Sequence, residues 1–296
     1  MTTLAETTSL PQAGAAEDSP WRRALRRLLQ RRGAMLGAAV VLLLIILAVL
    51  APWIAPYDPI QQSWSLVRKA PSWAHWLGTD EVGRDVLSRV IWGTRASLSA
   101  GVISVGIAIC IGVPAGLLAG SAGGWIDGVL SRITDAMLAC PFLILAIALA
   151  AFLGPSLGNA MIAIGITATP IFVRLTRGQV LATKVEDYVE AARAVGNPPI
   201  RIALRHVLPN ILAPILVQAT LAIAAAIIAE ASLSFLGLGQ QPPAPSWGSM
   251  LNSAQRFLAQ APWMAIWPGV AIFLAVLSFN LFGDGLRDAL DPKQQR

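Results

Sequence analysis

Long stretches without a charged residue recur along this chain, and they restrict its fold more than any other feature. Residues 33–57, 96–126 and 136–173 contain no Asp, Glu, Lys or Arg. A helix needs about 20 apolar residues to cross a hydrocarbon core about 30 Å thick, and its backbone must be hydrogen-bonded there. The chain of 296 residues is 55% hydrophobic and 13% charged, whereas soluble domains have about 25% charged residues. We therefore predict an all-α integral membrane protein.

Six transmembrane helices account for these stretches. The first two stretches give one helix each. Residues 136–173 would form a helix of about 57 Å at 1.5 Å per residue, which is too long for one crossing. This stretch divides at the turn residues 154–159 into a third and a fourth helix. Residues 207–229 and 265–282 supply the fifth and the sixth.

The basic residues agree with six crossings. With the N-terminus in the cytoplasm, 16 of the 22 Lys and Arg residues lie in cytoplasmic segments and 6 lie outside. This asymmetry follows the positive-inside rule. Leaving out the fourth helix would move the basic loop 174–206 to the outside. We therefore expect a multi-pass membrane protein with both termini in the cytoplasm.

The chain divides further around these helices. Residues 20–33 place Trp21, Leu25 and Leu28 on one helical face and arginines on the others, which suits an amphipathic helix at the cytoplasmic surface. A basic flank that only sets orientation is an equal alternative. The expected parts are a mobile tail 1–19, this helix 20–33, a first transmembrane helix 34–56, a periplasmic segment 57–95, a five-helix core 96–290 with a cytoplasmic loop 174–207, and a tail 291–296.

The residue content does not support an enzyme. The two histidines, His75 and His206, cannot form a His-Glu-x-x-His zinc site, and none of the three lysines follows the glycine pattern of a phosphate-binding loop. Ionisable residues are also scarce inside the predicted helices, so an ion-coupled carrier has no positive support. Any use of ATP would have to come from a partner.

Small residues recur at every fourth position of the second predicted helix. The stripe ends in Gly112, Gly116 and Gly120, and small side chains at this spacing allow another helix to approach closely. We favour helix packing over direct contact with a substrate. Pro114, in the same helix, is one of several prolines that should kink or locally break the helices.

The loop 174–207 is the most informative segment. Tyr188–Val195 forms helices readily, Gly196 can end a helix in a left-handed conformation, and Asn197-Pro198-Pro199 prevents its continuation. A helix–turn–helix with a small Ala191/Ala192 patch would be a docking site for another protein. A solvated loop without a partner is equally compatible with these residues.

This loop resembles a known motif. Glu190-Ala191-Ala192, Gly196 and Leu208-Pro209 are similar to the EAA loop of permeases in bacterial binding-protein-dependent ABC importers. His206 departs from the aliphatic residue that is usual there, but Arg205–Asn210 resembles the peptide and nickel subclass. Further resemblance to this subclass, and especially to its second, C-type dipeptide permease subunit, lies in residues 75–80, 83–89, 241–248 and 280–292.

The resemblance implies the type I ABC importer permease fold and a location in the bacterial inner membrane. It implies two ATPase subunits that bind ATP and Mg, a homologous second permease, and a periplasmic or lipid-anchored binding protein, with no cofactor on this chain and no nucleic acid as partner. The helix around Glu190 would be the coupling helix. Glu190 would supply a polar contact, Ala191 and Ala192 close approach, Gly196 the turn, and Leu208-Pro209 the anchor to the fifth helix.

Two questions stay open at this point. Dipeptides or short peptides are the expected substrates, with nickel, glutathione and oligopeptides as alternatives within the same importer class. The segment 57–95 could contact the binding protein, or it could be a folded cap in which Asp80, Arg84, Asp85 and Arg89 pair with one another. We favour the folded cap, because charged residues at short spacing commonly pair locally.

Overall fold

The computed structural model describes residues 26–290. The predicted tails 1–19 and 291–296, and the first part of the predicted amphipathic helix 20–33, lie outside the described residues. Residues 26–30 of that predicted helix are helical.

Helices form the whole framework of this described part, as predicted. Nine of them have at least eight residues. They are α1 Arg32–Ile54, α2 Val86–Ala122, α3 Gly124–Ala139, α4 Phe142–Leu153, α5 Leu157–Thr183, α6 Asp187–Ala194, α7 Leu208–Phe235, α8 Trp247–Ala254 and α9 Trp263–Leu290.

Five helical segments are long and apolar enough to cross a membrane, and the count is six when the bent pair of α3 and α4 is taken as one span. The prediction of six crossings agrees with the larger count, and the bend in the third crossing was not predicted. The chain bends by 93° between α3 and α4. Pro141 has no N–H to continue the helix, and it forces Cys140 into an extended conformation at φ −84° and ψ 134°.

Two helix boundaries differ from the predicted segments. The α2 helix begins at Val86, so its first turns lie within the predicted periplasmic segment, and the Asp85 side chain caps it by accepting from the Ser88 N–H at 2.8 Å. The α5 helix continues to Thr183, so the first part of the predicted loop 174–207 is helix. Charge alone therefore did not mark the ends of these helices.

The basic segments meet at one end of the bundle, which we call the inner end. Arg31, before α1, pairs with Asp288 of α9 at 2.8 Å. Lys184, after α5, donates from Nζ to the carbonyl of Gly120 near the end of α2 at 3.2 Å. Gln179 of α5 and Arg287 of α9 line one cleft at this end.

The two long loops among the three predicted to lie outside, 57–95 and the one between the fifth and sixth crossings, meet at the opposite, outer end. The Trp263 Nε1–H donates to the carbonyl of Thr79 at 3.1 Å, and the Arg68 guanidinium lies 4.6 Å from the centre of the Phe257 ring. The structure thus separates the same two groups of loops that the positive-inside rule separated.

Contact between α2 and α5 forms the centre of the bundle. The glycine stripe of α2 faces α5 directly. A Cβ atom built on Gly112 would lie 2.7 Å from Phe172 Cβ, and one built on Gly120 would lie 2.7 Å from Val180 Cβ. Further along α2, the Ser104 hydroxyl donates to the Met161 carbonyl at 3.0 Å. The two helices can lie this close only because Gly112 and Gly120 carry no side chain.

Charged residues of the outer segment pair with one another. The Asp80 carboxylate accepts from Arg84 Nε at 2.6 Å and lies 3.4 Å from Arg89 Nε, and all three side chains are buried. Arg89 also donates to the backbone carbonyls of Pro59 at 2.9 Å and Pro243 at 3.3 Å. This network joins segment 57–95 to the loop after α7 and forms the folded cap that we favoured, except at Asp85. The Asp85 carboxylate pairs with no arginine: it caps α2 and lies 2.9 Å from His75 Nδ1.

A buried carboxyl group ties α7 to α2 near the outer end. Glu230 is fully buried. Its side chain accepts from the hydroxyl of Ser234 at 2.6 Å and from that of Ser97 at 3.1 Å. The α8 helix lies against the same part of α7, because Gly248 has no Cβ to meet the Ala231 carbonyl, which would be 2.3 Å away.

We expect Gly116→Ala to lower the thermal unfolding midpoint in detergent. The added Cβ would lie 2.6 Å from Thr176 Cβ and from the Val173 carbonyl oxygen, and overpacking of this kind costs about 1–3 kcal/mol. Gly106→Ala is the matched control, because no heavy atom lies within 4 Å of its new Cβ on the same helix. Equal midpoints for the two variants would contradict a glycine-dependent contact.

We expect Asp80→Asn to destabilise the protein strongly, because it leaves two buried guanidinium groups without their shared carboxylate. Breaking a buried ion pair by removing one partner costs about 3–5 kcal/mol. Asp58→Asn is the control, since Asp58 is exposed in the same segment and only accepts from the Ile60 N–H at 2.9 Å. If fluorescence-detected thermal unfolding gives the same midpoint for both variants, the cap does not depend on this ion pair.

Candidate functional site: the loop between α5 and α7

The loop at the inner end consists of short helices, and its second half is continuous with α7. After Thr183 the chain forms α6, turns at residues 195–198, and re-enters helix at Pro199. A π-helical turn, Ile202–Val207, then joins α7 without a break. Pro199–Phe235 is therefore one helical segment of 37 residues.

The end of α6 is closed by a left-handed glycine. Gly196 has φ +84°, a conformation that glycine adopts without strain. Its N–H donates to the carbonyl of Arg193 at 2.9 Å. The Asn197 side chain then donates to the carbonyl of Ala192 at 3.0 Å. These bonds satisfy the last carbonyls of α6 and turn the chain toward Pro199.

The charges of α6 suit its dipole. Asp187 and Glu190 lie in its first turn and Arg193 in its last, where each sign is favourable. Partial burial and the nearby Glu186 carboxylate raise the pKa of Tyr188, which lies in this helix outside the membrane-spanning segments. The shift adds to the ordinary neutrality of a phenol, whose hydroxyl can donate a hydrogen bond.

One face of α6 is held by the protein and the other is free. Val189 is fully buried and Ala192 is buried beside it, both against the main apolar cluster. Glu190 and Ala191 are exposed. The two alanines therefore do not form the single exposed patch that we predicted. Adjacent residues of a helix point in different directions, so only Ala191 is on the free face.

Exposed apolar side chains lie on both sides of Glu190 along the chain, on α6, beside it and on the helix that follows. Val195 is 83% exposed and Ile200 is 66% exposed. The exposed apolar group as a whole, which we call the docking rim, is Val185, Tyr188, Val195, Ile200 and Leu204. Sequence reasoning missed this rim, although apolar residues in a segment expected to lie in water were a signal for it. Exposed apolar patches of this kind commonly mark protein interaction sites.

A cavity of about 250 Å³ lies behind α6, between the loop and the inner ends of α2 and α5. Ser121, Val180, Val189 and Ile202 are among its lining residues. The loop is thus attached through Val189 and the helical connection to α7, without being packed solidly against the bundle.

The remaining predicted site residues lie at the start of α7. Leu208 is half-buried and packs against the main apolar cluster, whereas Pro209 is exposed in the first turn. The carbonyl of His206 accepts from the Asn210 side chain at 2.6 Å. Residues 26–290 contain no group of three His, Cys, Asp or Glu side chains that could hold a metal ion.

Comparison with known proteins identifies the family. The family described as "Binding-protein-dependent transport system inner membrane component" matches residues 112–296. The family described as "N-terminal TM domain of oligopeptide transport permease C" matches residues 19–71.

Named relatives cover almost the whole chain. The dipeptide transport system permease protein DppC of Alkalihalophilus pseudofirmus is 47% identical, over 94% of this chain and 91% of the relative. The di/tripeptide permease DppC of Pseudomonas aeruginosa is 47% identical, over 93% of each. The glutathione transport system permease protein GsiD of Escherichia coli O157:H7 is 48% identical, over 93% of this chain and 91% of the relative.

A solved structure supports the fold. A chain of the MetNI methionine ABC transporter, in an inward-facing conformation, superimposes with a TM-score of 0.57 and 21% identity, covering 69% of this chain and 96% of that one. As the resemblance predicted, this chain belongs to the binding-protein-dependent transport system inner membrane components, as a C-type permease subunit of the peptide and nickel subclass of ABC importers.

Proposed function

We propose that this chain forms one half of the path by which dipeptides or short peptides are imported across the inner membrane. The identity of 47–48% with peptide and glutathione permeases, over more than nine-tenths of the chain, carries this proposal. Glutathione is itself a short peptide, so these names agree on a substrate class. Nickel and longer oligopeptides are the alternatives within the same kind of importer.

Both termini and the loop between α5 and α7 face the cytoplasm in this proposal. Two independent observations support the orientation. The sequence has 16 basic residues on this side and 6 on the other, and the fold gathers the start of α1, the end of α9 and the loop at one end of the bundle.

The energy comes from partners. A homologous second permease would complete the path, and two ABC ATPase subunits at the inner end would bind ATP and Mg. A periplasmic or lipid-anchored binding protein would deliver the peptide to the outer end. This chain would need no cofactor of its own and would bind membrane lipids but not nucleic acid.

The α6 helix would dock into the ATPase through its free face. Glu190 would make a polar contact there, and the docking rim would supply buried apolar area. The small side chain of Ala191 would let the ATPase approach α6 closely, and that of Ala192 would let α6 lie close to the bundle. Motion of the ATPase would then reach α7 through the continuous helix that begins at Pro199 and passes through Leu208 and Pro209.

We expect Gly196→Val to uncouple ATP hydrolysis from peptide uptake while the protein stays in the membrane. A Cβ at this position meets no atom within 4 Å, but φ +84° is strained for valine, at a cost of about 1–3 kcal/mol. The turn that presents α6 would change. Gly178→Val is the control, because it also meets nothing within 4 Å but lies inside α5.

Glu190→Lys should uncouple in the same way, since it reverses the charge of an exposed residue that lies between the docking-rim residues Tyr188 and Val195 in the sequence. Asp58→Lys makes the same change at an exposed position of the outer end. Uptake and ATP hydrolysis by the reconstituted complex are the measurements. Normal peptide uptake by both Gly196→Val and Glu190→Lys would contradict the coupling role.

A secondary carrier is the competing function, and reconstitution separates the two. We expect this chain alone in liposomes to take up no dipeptide under a proton or sodium gradient, and uptake to begin when the second permease, the ATPases, the binding protein and ATP are added. Uptake driven by a gradient in the absence of these partners would overturn the proposal.

A further inference from the structure

A cleft of about 500 Å³ opens at the inner end between α5, α7 and the end of α9. Its walls include Val217 and Leu221 and are mainly apolar, but the amides of Gln179 and Gln218 line it as well. This volume and this mixture of many apolar and few polar groups are typical of sites for small molecules.

Gln218 cannot face lipid without a cost. The side-chain amides of Gln179 and Gln218 have no hydrogen-bond partner among residues 26–290, and Gln179 lies near the inner end of α5, between Arg177 and Lys184 in the sequence. Gln218 lies well inside α7, whose neighbouring residues are apolar. Hydrocarbon cannot satisfy such a group, so the face of α7 that bears Gln218 must meet water, a solute or another protein.

Backbone chemistry adds an acceptor to the same cleft. Pro214 lines it and has no N–H, so the carbonyl of Asn210 lacks the partner that a helix would normally provide four residues later. Two side-chain amides and one free carbonyl together offer both donors and acceptors. A peptide bond likewise has one hydrogen-bond donor, its N–H, and one acceptor, its carbonyl oxygen.

The charge of the cleft selects among ligands. Arg287 lies at its cytoplasmic mouth, and its described lining has no Asp, Glu, His or Cys. A guanidinium binds carboxylates well, whereas a divalent metal ion would find repulsion and no oxygen-anion, imidazole or thiolate ligand.

We propose that this cleft is the inner vestibule of the translocation path and that it takes short peptides with a free carboxylate. Gln179 and Gln218 would bond to the peptide backbone and Arg287 to the terminal carboxylate. The inference rests on the proposed function. It adds to that function the residues that line the path and a reason to favour peptides over nickel as the substrate.

Thiol labelling tests whether the cleft contains water. Cys110 and Cys140 are both free and exposed, so both are first changed to serine. Gln218→Cys is then compared with Leu216→Cys, which is 41% exposed and points to another side of α7. The assembled complex in inside-out vesicles without ATP is treated with a membrane-impermeant methanethiosulfonate.

Because the thiolate is the reacting species and requires water, we expect position 218 to react at least about tenfold faster than position 216. Equal or slower reaction at position 218 would show that lipid or a partner subunit covers this face, and it would overturn the vestibule.

Peptide protection tests the ligand class in the same vesicles. Millimolar alanyl-alanine should slow labelling of the Gln218→Cys complex more than alanyl-alanine amide does. Adding Arg287→Gln should abolish that difference, whereas Arg132→Gln, at an exposed position of α3 outside the cleft, should keep it. Equal protection by the two peptides, or none, would overturn the assignment of a carboxylate ligand.

ATP-driven uptake by the cysteine-free complex separates this inference from the proposed function. Normal uptake together with slow labelling at position 218 would refute only the vestibule. Fast labelling with no uptake of any peptide would refute the proposed function, and with it peptides as the cargo of the cleft, and would leave only the water access of the cleft.

Discussion

The close contact between α2 and α5 is the interaction on which the rest of the fold depends. Lipid provides no hydrophobic drive for two apolar helices to associate, so they must gain from contact itself. Gly112, Gly116 and Gly120 let the backbone of α2 reach α5 directly. The inner end of α5 is thereby held beside that of α2, where Lys184 bonds to Gly120, and the loop that follows starts from a fixed point.

The two ends of the bundle differ in which kind of residue is buried and which is exposed. At the outer end, Asp80, Arg84 and Arg89 are charged and yet buried, because each is satisfied inside the cap. At the inner end, Val195 and Ile200 are apolar and yet exposed. A closed polar network suits a surface that must keep its shape, whereas an open apolar rim suits one that is completed by a partner.

Much of this could be predicted from residue patterns. Gaps between charges located the six crossings, and the small residue Gly196 before two prolines marked the end of α6. The bend at Cys140–Pro141 was missed, because a proline within an apolar run can either kink or break a helix. The sequence also did not indicate that Ala191 is exposed while Ala192 is buried, because tertiary packing decides which face of a short helix is buried. The cleft beside Gln218 brings together three helices distant in sequence, so no local pattern could indicate it.

The continuous helix from Pro199 to Phe235 has a mechanical consequence. At 37 residues it is about 55 Å long, more than the thickness of the hydrocarbon core. Its outer part is fastened through Glu230 to Ser97 and through close contact with Gly248. Its inner part packs through Val207, Ile211 and Ile215 into the main apolar cluster, beside the open cleft. A push on the loop would therefore be transmitted along one rod to the helices packed against it, with Pro214 partway along the loaded segment.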